Sequence, residues 1–484
     1  MTKAGFENYK LDKELLRAIR MLNFTSPTRV QEQVIPAVLD KRDIIIRSRT
    51  GSGKTAAFAI PVCQQIQWEE NKPQAIVLTP TRELAIQVKE DIFNIGRFKR
   101  LKVAAIYGKA PFYSQEKELK QKTHVVVGTP GRVIDHLERG TLDTSNIKYL
   151  VIDEADEMLT MGFIEQIEAI IARLPVRRAT VLLSATMPSD IRSLCDKHMN
   201  SPVFVEIEEQ GSSADNILQE VYLAQAKDKT ELLEDITVIE NPDSCIIFCN
   251  TKQKVDEVHA QMIRLRYSCE KIHGGMEQQD RLRVMNSFKQ GCFRYLIATD
   301  VAARGIDIDD VKLVINYDVP NDSESYVHRI GRTGRIGREG KAVTFAAADD
   351  DKLLRDIKQY IGQEIPLRQR PAKEIVNSLK PEFIEKINTV PELKESKGSQ
   401  LNKEIMKLHI NAGKKTKMRP VDIVGTLCNI NGMTAADIGI ISIADISTFV
   451  EILNNKGELV YRELQNTPIK GRLRRVSKVD IARN

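Results

Sequence analysis

The chain has 484 residues, too many for one hydrophobic core, so about two to four domains are expected. Hydrophobic residues make up 42% and charged residues 29%, and no apolar run approaches ~18 residues, which excludes a membrane span and leaves an ordinary soluble composition. The net charge is +6, and from Lys403 onward fourteen Lys/Arg face eight Asp/Glu, so the whole surplus sits in the last stretch and points to a polyanion partner, most often nucleic acid.

The first residues, Met1-Thr2-Lys3-Ala4-Gly5-Phe6-Glu7, carry no hydrophobic stretch of the signal-peptide kind, and a cytoplasmic location is expected. The seven cysteines (Cys63, Cys195, Cys245, Cys249, Cys269, Cys292, Cys428) are scattered without a C-x-x-C pair, which predicts free thiols in a reducing compartment. Residues 1–208 alternate apolar runs with amphipathic stretches. Strands are predicted at Ile44–Arg47, Ala75–Thr79, Val103–Tyr107, His124–Gly128, Tyr149–Asp153, Thr180–Ser184 and Val203–Glu206, with helices such as Arg82–Ile95 and Glu165–Leu174 between them. Strands apolar throughout and alternating with helices predict a parallel sheet covered on both faces.

The first of these strands runs into Ser48-Arg49-Thr50-Gly51-Ser52-Gly53-Lys54-Thr55 and then a helical stretch from Ala56. Strand, glycine-rich turn and helix is the arrangement that cradles nucleotide phosphates. Backbone N–H groups of Thr50, Gly51, Ser52 and Gly53 can close on phosphate oxygens, Lys54 can neutralise the β/γ charge, and the Thr55 hydroxyl can hold Mg²⁺. Asp153-Glu154-Ala155-Asp156 follows the apolar strand ending at Ile152. Carboxylates at the carboxyl end of a parallel strand face the cleft where ligands bind. There Asp153 can hold Mg²⁺ through its water shell, and Glu154 can polarise the water that attacks the γ-phosphate.

Residues 209–216 form a polar, Gly/Ser-bearing linker. A second α/β unit then spans 217–363, with strands at Ser244–Cys249, Ser268–Ile272, Tyr295–Thr299, Val311–Tyr317 and Lys341–Ala346 and helices at Lys254–Leu265 and Gln278–Phe288. It has no Gly-Lys-Thr loop of its own, so one nucleotide is expected in the cleft between the two units. Residues 364–402, rich in Pro, Lys and Glu, read as a helix-containing connector. In 403–484, strands at Ile405–Ala412, Ile438–Ile441, Ala444–Leu453 and Arg472–Val476 alternate with helices near Pro420–Asn429 and Gly457–Gln465. That β-α-β-β-α-β order matches an RNA-recognition-type α+β domain.

The Asp153-Glu154-Ala155-Asp156 tetrad and its ordered companions resemble the DEAD-box ATP-dependent RNA helicases, over roughly residues 6–350. The resemblance implies two tandem RecA-like domains, ATP with Mg²⁺ as cofactors, and RNA as the partner. It implies that Gln31, in Pro27-Thr28-Arg29-Val30-Gln31, bonds the adenine edge while Phe6 stacks on the ring. Pro80, Thr81 and Arg82, with Thr129, Gly131 and Arg132, match the loops that grip the RNA backbone in the first domain. Ser184-Ala185-Thr186 matches the segment coupling hydrolysis to strand separation. In the second unit Thr251, Gln278, Arg281, Thr299, Arg304 and Gly305 match further RNA contacts, Asp307 stands near the ribose, and Arg332 and Arg335 are the arginine fingers. Catalysis then rests on Lys54, Asp153, Glu154, Arg332 and Arg335. Where the family commonly has Gly-Gly, this chain shows Tyr107-Gly108-Lys109-Ala110; Lys109 either supplies a phosphate contact or marks a loop that simply differs.

The last ~80 residues resemble the RNA-binding domain of the DbpA-type bacterial helicases, through the stretches Leu408–Lys415, Met418–Leu427 and Gly471–Val476. This implies anchoring on 23S ribosomal RNA and a role in large-subunit assembly, with neither a membrane nor DNA as partner and a monomer as the default state. Aromatics are scarce on the expected strands, so RNA is expected on basic loops, with Lys414, Lys415, Lys417 and Arg419 at one edge and Arg472, Arg474 and Arg475 at another. Two alternatives stand beside this reading: a general cold-shock or mRNA-decay helicase, and an ATP-gated RNA clamp.

Overall fold

The computed structural model describes residues 5–48, 52–207, 217–300, 311–334, 340–389, 391, 393 and 398–479. The linker expected at 209–216 lies outside them. Two compact units form, one of Met1–Ile207 with Lys397–Asn484 and the other of Glu208–Ser396.

In the first unit, β1 (Ile44–Arg47), β2 (Ala75–Leu78), β3 (Val103–Ile106), β4 (Val125–Gly128), β5 (Tyr149–Ile152), β6 (Ala179–Ser184) and β7 (Val203–Glu206) make a parallel sheet in the order β3-β4-β2-β5-β6-β1-β7. The strands lack polar alternation because both faces are covered. Alternate residues feed opposite cores. Ile44, Ile46, Val77 and Val127 pack on one side, and Ile45, Ile76, Leu78 and Val126 on the other. Parallel strands put every carboxyl end on one edge, and that edge carries the loops discussed below.

In the second unit, β8 (Ile217–Leu223), β9 (Cys245–Phe248), β10 (Cys269–Ile272), β11 (Tyr295–Ala298), β12 (Leu313–Asn316), β13 (Gly340–Ala346) and β14 (Leu367–Arg368) are parallel in the order β10-β11-β9-β12-β13-β8-β14. The strand β8 escapes sequence reading because Gln219 and Glu220 interrupt its apolar pattern. Both are buried with partners. Tyr326 Oη donates to Gln219 Oε1 at 2.9 Å, and Lys341 and Arg368 pair with Glu220 at 3.0 Å. The helix Lys373–Asn388 packs onto this unit's core through Val376 and Phe383.

The C-terminal module has β15 (Met406–Ile410), β16 (Ile438–Ile443), β17 (Thr448–Ile452) and β18 (Val476–Val479) in an antiparallel sheet ordered β16-β17-β15-β18. Leu408, Ile410, Val450 and Ile452 meet Ile423 and Leu427 of the helix Pro420–Cys428, and Val460 of the helix Gly457–Glu463. Two expected strands shift. The Ala444–Leu453 strand begins only at Thr448, because Ala444 N–H bonds Ser447 O and closes a hairpin turn. The Arg472–Val476 strand is instead loop up to Val476: Ile469 pairs with Arg472 across Lys470 and Gly471, both left-handed at φ +53° and +74°.

The module's other sheet face meets the first domain. Alternation puts Glu451 there, between core-facing Val450 and Ile452. Its carboxylate takes Arg97 Nε at 3.2 Å and Arg97 Nη2 at 3.1 Å. Beside this pair, Ala18 and Phe98 of the first domain pack on Leu401, Ile405 and Leu453. Arg17 reaches Glu404 and Asn454, Arg100 reaches Ala435 O, and Lys102 reaches Ile441 O.

Candidate functional site

Sheet order brings three loops of the first domain side by side. β6 lies between β1 and β5, so the phosphate loop after β1, Ser184-Ala185-Thr186 after β6 and Asp153–Asp156 after β5 leave neighbouring strand ends. Gly53 has φ +87°, where a side chain would be strained, and a Cβ there would stand 2.7 Å from Gln31 Nε2, so Gln31 would have to shift. Thr28 and Gln31 brace the loop from the helix Arg29–Leu39, whose start they cap reciprocally. Gln31 Nε2 donates to Gly53 O at 3.3 Å and Thr28 Oγ1 to Ser52 O at 3.0 Å. Across the loop, Lys54 Nζ donates to Ser48 O at 2.9 Å, and the Ser48 and Ser52 hydroxyls lie 2.6 Å apart. Lys54 opens the helix Lys54–Gln65, with Thr55 behind it. Thr50 and Gly51 lie outside the described residues. Phe6 is buried, its ring packed 6.5 Å from that of Phe24 and 6.4 Å from that of Tyr9.

Asp153 is buried at the end of β5, and burial raises its carboxyl above the usual carboxylate range while the Lys54 ammonium opposes that rise. Glu154 stands in the left-handed region at φ +54°, an uncommon place for a non-glycine residue. Asp156 ties the tetrad to the neighbouring loop. Its Oδ2 accepts from Ala185 N at 2.9 Å, Thr186 N at 2.8 Å and Thr186 Oγ1 at 3.2 Å. One buried carboxylate and one hydroxyl fit Mg²⁺, which takes one or two carboxylates together with phosphate oxygens and water rather than a protein cage. Among the described residues no three His, Cys, Asp or Glu gather to hold a metal by themselves.

The other half of the same edge carries the expected RNA loops, after β2, β4 and β3. Thr81 caps the helix Arg82–Ile95, accepting from Leu84 N at 3.2 Å, and Thr129 precedes the helix Pro130–Glu138. Pro80 is buried, Arg82 half-buried and Gly131 exposed. Arg132 is 12% exposed and engaged with its own domain. Its Nη1 donates to Ala110 O and to Gln115 Oε1, both at 3.0 Å, and its Nε lies 3.3 Å from Asp135. His136 stacks on Phe112 at 4.1 Å, and burial with the Arg132 charge pushes its imidazole down to about 4.

In the second unit Thr251 caps the helix Lys252–Arg264 and is exposed, whereas Gln278, Arg281, Thr299 and Arg332 are buried. Arg304, Gly305, Asp307 and Arg335 lie outside the described residues. Sequence reasoning missed Arg329, which is 1% exposed and joins three motif segments. It forks onto Asp300 at 2.5 and 2.7 Å, and reaches Asn250 Oδ1 at 2.7 Å and Asp318 O at 2.8 Å. Its position as the first arginine of His328-Arg329-Ile330-Gly331-Arg332 was the available signal.

In the module, Lys414, Lys415, Lys417, Arg419, Arg472 and Arg475 are exposed and Arg474 is half-buried. The two basic groups are not at separate edges. Lys470 Nζ donates to Lys417 O and Asp422 Oδ2, and Asn411 N–H bonds Arg475 O, which joins both loops at one end of the sheet. On the sheet face His409 lies 5.1 Å from Phe449, a ring pair on strands otherwise scarce in aromatics.

The DEAD/DEAH box helicase family model matches residues 28–194, the helicase conserved C-terminal domain 228–337, and the DbpA RNA binding domain 407–478. The chain is 55% identical over 475 residues to the ATP-dependent RNA helicase DbpA of Bacillus subtilis, covering 98% of this chain and 99% of that one. It is 44% identical over 367 residues to the DEAD-box ATP-dependent RNA helicase CshA of Geobacillus kaustophilus, covering 76% and 78%. Among solved structures, Saccharomyces cerevisiae Dbp5 bound to RNA and ADP BeF3 matches with a TM-score of 0.70 at 32% identity, over 78% of this chain and 99% of that one.

Proposed function

The chain belongs to the DEAD-box ATP-dependent RNA helicases of the DbpA type, and from that premise we propose how its residues divide the work and which RNA it acts on. It is an enzyme that hydrolyses ATP and binds RNA. In our reading Lys54 and the backbone of Thr50–Gly53 hold the phosphates, Thr55 and Asp153 hold Mg²⁺ largely through water, and Glu154 orients the attacking water. The ion would neutralise charge developing on the phosphoryl group. Gln31 and Phe6 serve the adenine end and Asp307 the ribose. Arg332 and Arg335 supply the remaining positive charge from the second unit. Such an arginine contributes on the order of 10³–10⁵ in rate in P-loop enzymes.

The observation that carries the reading is the Asp156 carboxylate bonded to Ala185 and Thr186. It ties the Asp153–Asp156 tetrad to the segment that would report hydrolysis to bound RNA. Thr81, Arg82, Thr129 and Gly131 of the first unit, with Thr251, Gln278, Arg281, Thr299, Arg304 and Gly305 of the second, would hold the RNA backbone. Backbone contacts position without reading bases. Sequence preference therefore falls to the module, whose joined loops would anchor 23S ribosomal RNA during cytoplasmic assembly of the large subunit.

The test is steady-state ATP hydrolysis with intact 23S ribosomal RNA, a hairpin fragment of it and unrelated RNA of equal length. Stimulation by the fragment at concentrations where unrelated RNA does little, lost on truncation before Lys403, is expected. Equal stimulation by all three RNAs would leave a general RNA helicase with a nonspecific basic tether.

A further inference from the structure

We propose that Lys229 is a positioning residue for RNA binding by the second unit: through Asp318 it fixes the loop Asn250-Thr251 from behind. The inference rests on the RNA-helicase reading, in which Thr251 holds the RNA backbone, and it concerns a residue outside the motifs assigned to that task.

Lys229 opens the helix Lys229–Glu240 and is 7% exposed. Both facts run against local preference. A helix start disfavours a cation, and an ammonium is costly to bury unless it is paired. Its partners come from the end of β12, distant in the chain. Nζ donates to Tyr317 O at 2.8 Å and lies 3.4 Å from Asp318 Oδ1, with the centre of the Tyr317 ring 5.6 Å away. The other carboxylate oxygen carries the contact onward to the loop after β9. Asp318 Oδ2 accepts from Asn250 N at 3.1 Å, and Asn250 Nδ2 donates to Val319 O at 2.8 Å. The ammonium thus holds a carboxylate that holds the backbone of the residue before Thr251.

Thr251 is exposed and caps the helix Lys252–Arg264, accepting from Lys254 N at 3.1 Å. The peptide that carries it is pinned by Asp318 on one side and by the helix start on the other. Asn250 Oδ1 also accepts from Arg329 Nη2 at 2.7 Å, and Arg329 forks onto Asp300, the neighbour of Thr299. The loops after β9 and β11 therefore share one support, and Lys229 closes its inner end. Lys229 itself is sealed off, with a side chain 9% exposed against 22% for Asp318. Removing the ammonium alone leaves the carboxylate without its ion pair, which is costly, whereas removing the charge from both partners is commonly tolerated. A loop that occupies its binding position for only a fraction of the time binds more weakly by the reciprocal of that fraction.

The experiment uses the full chain and reads ATP hydrolysis against the concentration of a single-stranded oligouridylate. Oligouridylate affinity is also measured against KCl concentration with a saturating non-hydrolysable ATP analogue. Lys229→Met is expected to raise the RNA concentration for half-maximal stimulation about ten-fold, as for a loop in place about a tenth of the time. Hydrolysis at saturating RNA should stay within about two-fold of wild type, the pattern of lost binding rather than lost chemistry. The log–log salt slope should not change, because no phosphate contact is removed. Lys229→Met combined with Asp318→Asn is expected to return the half-maximal concentration toward wild type, since an amide oxygen still accepts from Asn250 N and no charge is stranded. Lys229→Gln is read in the same way as Lys229→Met and replaces it if that variant does not fold. Equal half-maximal concentrations in wild type and the folded single variant overturn the proposal and leave Lys229 a stability residue. A slope flattened by about 0.7 would make Lys229 a phosphate contact and overturn its positioning role. A double variant as weak as the single one would place the loss in packing and overturn the route through Asp318. If the wild type itself shows no RNA-stimulated hydrolysis, the broader functional reading fails instead.

Discussion

Replacing Arg97 by alanine is expected to release the C-terminal module from the first domain. Arg97 and Glu451 form a fork at 3.1 and 3.2 Å with side chains only 5% and 7% exposed, and the guanidinium also lies 4.6 Å from the Phe93 ring. Removing one partner of such a pair strands a carboxylate in low dielectric, at about 3–5 kcal/mol. The remaining cross-links are wetter. Arg17 and Glu404 are 34% and 39% exposed, and screened pairs of that kind contribute little. At about 1.4 kcal/mol per decade, even the lower figure cuts the docked-to-free ratio by roughly two orders of magnitude. Pulsed electron–electron resonance can read this directly. Cys292 and Cys428 are the exposed cysteines, and burial protects the rest from labelling, with the Cys63 thiol pushed up to about 12. With Cys292→Ser, spin labels at Cys428 and at Val176→Cys, a position 94% exposed, should give one narrow distance that broadens in Arg97→Ala. Arg97→Leu with Glu451→Leu should restore it, since apolar pairs commonly replace buried ion pairs without loss. A narrow, unshifted distance in Arg97→Ala would refute the assignment.

Three further outcomes are expected. Asp156→Asn weakens the charge-assisted bonds to Ala185 and Thr186, about 1.5–3 kcal/mol each when lost outright; duplex unwinding should collapse while binding of a fluorescent ATP analogue persists, and parallel loss of both would argue against a coupling role. Arg329→Lys keeps the charge but breaks the fork to Asp300 and the bond to Asn250, so about 3 kcal/mol should lower the second unit's calorimetric midpoint by roughly 6–12 °C, and an unchanged midpoint would count against the hub. Burial pushes His124 and His136 down to about 4, below the ordinary imidazole value near 6.5. Between those values the unfolded chain binds more protons, so the stability both groups contribute is complete above about 6.5 and is lost as pH falls toward about 4. Unfolding free energies from urea titrations at about pH 7 and pH 5 should differ by roughly 2 kcal/mol per histidine, and His136→Asn should remove about half of that difference; a pH-independent unfolding free energy would refute it.

What the sequence made legible was mostly short-range. β1, the glycines and Lys54-Thr55 are contiguous, and Thr28, Thr81 and Thr251 announce helix starts within three residues of the amides they cap. Buried strands show as unbroken apolar runs such as Val125-Val126-Val127. β8 failed that test because the partners that make Gln219 and Glu220 tolerable come from Tyr326, Lys341 and Arg368, distant in the chain. The basic stretch after Gly471 read as strand because its side chains suit an exposed edge, although the Lys470-Gly471 turn was the better local signal.

The same limit governs the charged residues of the site. Nothing local separates Arg97, sealed against Glu451, from Arg100, which reaches a backbone carbonyl of the module. Nor does motif membership say whether a guanidinium faces the ligand or the scaffold. Arg132 and Arg329 both lie in segments that mark the family, yet their protons go to Ala110, Gln115, Asp300, Asn250 and Asp318. A guanidinium forks onto carboxylates and carbonyls as readily as onto phosphates, so one side chain serves either purpose and only its neighbours decide. Lys109 is the converse case. It departs from the family's Gly-Gly, and its exposure and braced left-handed backbone hold it outward. In this chain the family motifs locate the machinery, and the bonding around each cation sorts the residues that brace from those that can bind.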